Sequence, residues 1–145
     1  MSDVGETARC QMPVKHLSRT AMADKKLEIK SHRDLIAWQK AMDLVVETYK
    51  VSRDFPKEEL YGLTSQMRRA AVSVPANIAE GQGRRLSGEF IHFLGNARGS
   101  LLELDTHLEI ALRLSYIEQR KYQPFQDQIQ EVGRILNGLL RSIEG

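Results

Sequence analysis

A chain of 145 residues, 41% hydrophobic and 28% charged, has the length of one compact domain and enough apolar content to bury a core. Its formal net charge of +2 excludes a general electrostatic pull toward nucleic acid or anionic lipid, so any such affinity has to be local. A single cysteine, Cys10, excludes an internal disulfide framework and a thiolate metal cluster, and no apolar run approaches the ~20 residues that cross a bilayer.

Residues 1–30 mix Ser, Thr, Lys, Arg and Asp without a sustained period and contain Pro13, which predicts a disordered N-terminal arm. Met22 offers an alternative start within it. The arm lacks the apolar segment of a secretion signal, so the expected location is cytoplasmic.

Residues 31–145 form the expected domain, and its apolar residues recur with a mean spacing of about 3.5, the period of helices packed nearly parallel. The first helix carries Leu35, Trp38, Met42, Val45 and Tyr49, with Asp34 as its N-cap, and ends before the turn Asp54, Phe55, Pro56. The second carries Leu60, Leu63, Met67, Ala70 and Val74 and stops at Gly81 and Gly83. Pro75 lies inside it and either kinks the rod or separates two shorter helices.

The third helix starts near Ser87 and aligns Phe90, Leu94, Ala97, Leu101, Leu104, Leu108 and Ala111 over about seven turns. The fourth aligns Tyr122, Phe125, Ile129, Val132, Leu136, Leu139 and Ile143, with Pro124 in its first turn, where a missing N–H costs little. No segment alternates as a strand would. Short connections between neighbours therefore predict an all-α, antiparallel up-down-up-down four-helix bundle.

The run Ala70 to Ala79, AAVSVPANIA, is small or apolar on every side, whereas a solvent-facing helix carries a charged face. With Ala70 and Val74 turned to the core, Val72, Ala76 and Ala79 form an outer strip. Gly95 and Gly99 lie one turn apart on the third helix, each costing about 1 kcal/mol relative to alanine, which implies close backbone approach. A subunit interface and tight packing of helices two and three within one chain both account for this, and all-round apolarity favours the interface.

Candidate chemistry is sparse. Glu89 and His92 have the Glu-x-x-His spacing of metal-binding bundles, but the second such pair is missing and Phe90 and Leu94 take the seam, which turns His92 outward. Glu103 and His107 lie one turn apart, as an ion pair or hydrogen bond on the flank of the third helix requires. No serine or cysteine stands beside a base, so no catalytic residue, cofactor or metal is expected. The loop Gly81, Gln82, Gly83, Arg84, Arg85 lacks the preceding strand and Lys-Ser/Thr ending of a phosphate cradle, and its glycines read as a left-handed cap and turn. Between Gln66 and Ser100, Arg68, Arg69, Arg84, Arg85 and Arg98 are offset only by Glu80 and Glu89, a local net charge of +3. These arginines either meet phosphates or pair with Glu103, Asp105 and Glu109 across the bundle, and composition favours the pairing.

The run YGLTSQMRRAAVSVPANIAEGQGR from Tyr61, together with DLIAWQKAMDL, FPKEELYGL and EFIHFLGNARGSLLELDTHLEIA, resembles the bacterial four-helix-bundle family named for reading frames inside 23S rRNA intervening sequences. The resemblance covers nearly everything after residue 30. It implies a barrel-like homopentamer similar to the accessory protein of diversity-generating retroelements, which binds nucleic acid and a reverse transcriptase. Motif by motif, it singles out Arg68, Arg69, Asn77, Glu80, Gly81, Arg84 and Arg85 here.

The combined expectation is a non-enzymatic homo-oligomer with Val72, Ala76, Ala79, Gly95 and Gly99 between subunits and Arg68, Arg69, Arg84, Arg85 and Arg98 on RNA or DNA. A protein that handles nucleic acid is a further expected partner, and no membrane is. The alternative is a structural or regulatory protein-interaction module with no nucleic-acid role.

Overall fold

The computed structural model describes residues 29–144, so the expected arm, with Cys10, Pro13 and Met22, lies almost wholly outside the described residues. Within them four α-helices follow one another: α1 Ile36–Ser52, α2 Leu63–Gln82, α3 Ser87–Arg113 and α4 Gln119–Glu144. Each packs on two neighbours, α1 on α2, α2 on α3, α3 on α4 and α4 back on α1. No strand occurs among the described residues, and no helix there is long and apolar enough to cross a membrane.

The alternation of direction is fixed by contacts at one end. Tyr116, in the α3–α4 connection, donates its hydroxyl to Glu59 Oε2 at 2.8 Å, and its ring meets Phe55 in the α1–α2 connection at 5.7 Å. Those two connections therefore share an end, and the α2–α3 turn lies at the other. Glu59 also accepts the Leu63 N–H through Oε1, so one carboxylate caps α2 and pins the opposite hairpin. Its pKa is lowered by the Leu63 N–H first and the Tyr116 hydroxyl second. Ser115, with φ at 62°, makes the sharp left-handed exit from α3.

The seams of α3 and α4 follow the sequence pattern: Leu94, Ala97, Leu101, Leu104, Leu108 and Ala111 are buried against Phe125, Ile129, Val132 and Leu136. On α1 the buried stripe is Ala37, Ala41, Leu44, Thr48 and Ser52, rotated away from the expected one. Met42 and Tyr49 are exposed, while Trp38 and Val45 border the core. Small side chains let α1 approach its neighbours. The hydroxyls are satisfied locally, Thr48 Oγ1 donating to the Leu44 carbonyl and Ser52 Oγ to that of Thr48, both at 2.7 Å. Leu60 likewise lies outside α2 and is exposed.

Three terminal details also differ. Asp34 belongs to a preceding 3₁₀ turn, His32–Asp34, where it and Ser31 form a capping box, and α1 begins after Leu35 without a side-chain cap. Pro124 occupies the second turn of α4, because the helix starts at Gln119. α2 runs unbroken through Pro75, whose ring is buried.

Candidate functional site

The α2–α3 hairpin holds most of the residues of interest. Ser73 and Ser100 hydroxyls meet at 2.8 Å across the two helices, and Asn77 Nδ2 donates to both the carbonyl and the hydroxyl of Ser73. Asn77 thus serves the helix pair. Glu80 accepts from Arg84 at 2.8 Å, and Arg84 reaches Glu89 at 3.6 Å, a small charge ladder over the turn. Gly81 is buried, and a Cβ placed on it would stand 2.8 Å from Phe93 Cβ and 3.0 Å from Phe90 Cδ1. It is the close-approach glycine of the hairpin. Neither it nor Gly83 adopts positive φ, so the expected left-handed cap is absent and Gly83 ends α2 in a right-handed conformation.

The other small residues behave differently. Gly95 and Gly99 are exposed, and a Cβ on either would meet nothing within 4 Å. Tight packing of α2 on α3 therefore does not explain them within one chain. Val72 and Ala76 are exposed on the outer face of α2, and Ala79 is half-buried at its edge. α3 adds Leu102, 60% exposed, one turn after Gly99.

The arginines do not gather in one patch. Arg68 and Arg69 lie near the start of α2 and Arg84 and Arg85 beyond its end, about 20 Å away along the helix axis. Arg98 lies on α3 at middle height, two residues from the Ser73–Ser100 bond. Nor do they pair with Glu103, Asp105 and Glu109 as composition suggests. Asp105 accepts from Gln126 at 2.9 Å, and Glu109 from Arg113 and Tyr122, both at 2.9 Å. Those hydrogen bonds lower the Glu109 pKa, Arg113 contributing most, and the Tyr122 pKa rises, first through burial and then through Glu109. Arg84 is neutralised by Glu80 and Glu89. Arg69, Arg85 and Arg98 are exposed and have no acidic partner among the described residues.

Sequence reasoning missed a groove between α1 and α2, a surface depression of about 660 Å³ lined by Tyr49, Leu60, Tyr61, Arg68, Arg69 and Val72. Helical spacing places Tyr49 and Leu60 in the seam and gives Tyr61, just before α2, no role beyond the family motif. The available signal was the second regular spacing on α1, Ala37, Ala41, Leu44 and Thr48, which turns Tyr49 outward.

His107 is buried in the core rather than lying on a flank, and its Nδ1 has no hydrogen-bond partner. Burial lowers its pKa, opposed by the nearby Glu103. The unfolded chain then takes up a proton near the ordinary histidine pKa of about 6.5, and the folded chain only at lower pH. Stability from this residue is complete above that value and is lost as pH falls toward the lowered pKa. Urea midpoints are expected to fall between pH 7.5 and 5.5, and His107→Leu to flatten that dependence; an unchanged slope in the variant refutes the assignment. His92 packs edge-on against Phe93, and Glu89 faces Arg84, so the Glu-x-x-His pair is divided between separate contacts.

Comparison with known proteins places this arrangement. The family model for the 23S rRNA-intervening sequence protein matches residues 33–138. A crystal structure of a protein of unknown function from the S23 ribosomal protein family of Bacteroides thetaiotaomicron is similar, with a TM-score of 0.69 at 21% identity, over 73% of this chain and 96% of that one. No curated protein matches. The family-model match, which spans all four helices from residue 33 to 138, makes this chain a member of the 23S rRNA-intervening sequence protein family.

Proposed function

We propose that the protein is a non-enzymatic homo-oligomer, five-membered by family resemblance, that acts as a nucleic-acid-binding or accessory scaffold. The observation that carries this reading is the outer face of the α2–α3 hairpin. It exposes Val72 and Ala76, and a Cβ on either of its two glycines, Gly95 and Gly99, would meet nothing within 4 Å among the described residues. Glycines in helix interiors that face open space cost stability without return unless another backbone approaches them. A second copy of the chain provides that approach, and closed symmetry repeats it around a ring.

Oligomerisation also multiplies charge. Arg69, Arg85 and Arg98 lack acidic partners among the described residues, and a ring repeats these cations once per subunit. Contacts from several subunits to one polyanion give salt-sensitive, sequence-tolerant affinity, consistent with the small net charge of each chain.

Size-exclusion chromatography with light scattering tests the assembly, and fluorescence anisotropy with structured RNA over a salt series tests the binding. The Arg84→Glu/Arg85→Glu variant is expected to weaken RNA affinity at least tenfold and to lower the salt slope by about one, since Arg85 is the cation of the pair that has no acidic partner among the described residues. A strictly monomeric chain at micromolar concentration removes the first half of the proposal. Affinity that is absent at low salt, or indifferent to salt, removes the second.

A further inference from the structure

We infer that the α1–α2 groove is a stacking site for single-stranded nucleic acid, with Tyr61 as the base platform and Arg68 and Arg69 on the flanking phosphates. This rests on the nucleic-acid reading above and assigns it a place that the other arginines do not supply.

Three observations carry it. Tyr61 is 93% exposed, an extreme value for an aromatic side chain, and its ring meets no other ring or guanidinium among the described residues. Arg68 is held in position without a carboxylate: its Nε donates to Ser52 Oγ at 2.9 Å and its guanidinium lies 4.6 Å from the centre of the Tyr49 ring. Its charge is thus preorganised and uncompensated, and Arg69 beside it is exposed with no acidic partner. Finally, no acidic residue lines the groove.

Two cations with no anion, set among two exposed phenol rings, are complementary to a ligand that is itself anionic and carries flat rings. Unpaired nucleotides fit that description, because every base offers a π-face and each linkage one negative charge. Duplex bases remain stacked on each other and cannot reach Tyr61. The groove reaches along α2 as far as Val72 and Ser73, and the small-residue strip shares Val72 with it and continues beyond through Ala76 and Ala79.

The test uses the full chain with three fluorescein-labelled probes: a twelve-nucleotide oligouridine, the matching oligothymidine and a perfectly paired RNA duplex. Tyr61→Ala is expected to weaken the two single strands by about 5- to 150-fold, the range that corresponds to loss of one base–aromatic stack, while leaving the duplex within about twofold. Tyr61→Phe retains the ring and is expected to restore affinity. Arg69→Ala is expected to reduce the single-strand salt slope by about 0.7, one phosphate's worth.

Single-strand binding that survives Tyr61→Ala but is lost in Arg84→Glu/Arg85→Glu overturns the groove and leaves the scaffold reading intact. Absence of binding to all probes overturns both. A change in oligomeric mass on Tyr61→Ala, seen by light scattering, shows that a second copy of the chain occupies the groove and overturns the assignment. Thermal melting of each variant separates these outcomes from unfolding, which an exposed position is not expected to cause.

Discussion

Replacing Ala76 and Gly99 together by glutamate is expected to divide the assembly into single chains that remain folded. Both positions are exposed in the isolated chain, and the space around Gly99 is open to 4 Å, so neither new side chain meets an obstacle there. At Gly99 the change even favours the helix, since glycine is about 0.5–1 kcal/mol worse than glutamate in a helix interior. In an interface the same side chains place unpaired carboxylates against an apolar surface, at a cost of several kcal/mol per subunit contact. A difference of about 3–4 kcal/mol corresponds to a dissociation constant raised several-hundred-fold, readily seen by light scattering at micromolar concentration. Circular dichroism should show unchanged helicity. An assembly of undiminished mass would mean that subunits meet elsewhere, and lost helicity that the strip supports the chain's own fold.

The second large effect is expected at Gly81→Ala. Alanine ordinarily stabilises a helix by about 1 kcal/mol relative to glycine. Here the added methyl stands 2.8 Å from Phe93 Cβ, an atom at the root of its side chain that no rotamer change can move. α3 must then back away from α2, straining the Ser73–Ser100 hydrogen bond that joins the two helices two turns along the pair. Overpacking of this kind costs ~1–3 kcal/mol and outweighs the propensity gain. Urea denaturation should show a lower midpoint for Gly81→Ala and, on the monomeric Ala76→Glu/Gly99→Glu background, a higher one for Gly95→Ala. Equal or greater stability of Gly81→Ala would show that the hairpin is looser than its geometry implies.

These two experiments treat three glycines that look alike in the sequence. Gly81 was read with Gly83 as a turn residue, and Gly95 and Gly99 as the points of close approach. The structure reverses the roles within the chain: Gly81 is where two helices touch, and the other pair faces outward. Helical spacing specifies the angle of a residue around its own axis, but not which neighbour lies there or at what distance. The same limit misplaced α1, whose two candidate stripes differ by a small rotation. Choosing the larger side chains put Met42 and Tyr49 in the core, whereas close packing selected Ala37, Ala41 and Thr48.

The candidate site was legible as a list of residues and illegible as a surface. Five arginines close in composition were expected to act together or to pair with α3. Axial rise along α2 separates them, and Gln126, Tyr122 and Arg113 had already engaged Asp105 and Glu109. The groove under Tyr61 was invisible, because it is made by residues from α1, the following turn and α2 that share no periodicity.

The sequence by itself determined the number of helices, their approximate ends, the seams of α3 and α4, and membership in a family, since all of these depend on local periodicity and contiguous motifs. Only the tertiary structure decided which face of α1 is buried, which glycine permits contact, which arginines remain without partners and where a ligand-sized hollow opens. Those outcomes depend on distances between segments far apart in the chain, and such distances are set by the competition of side-chain volumes across helix pairs, which no single helical stripe contains.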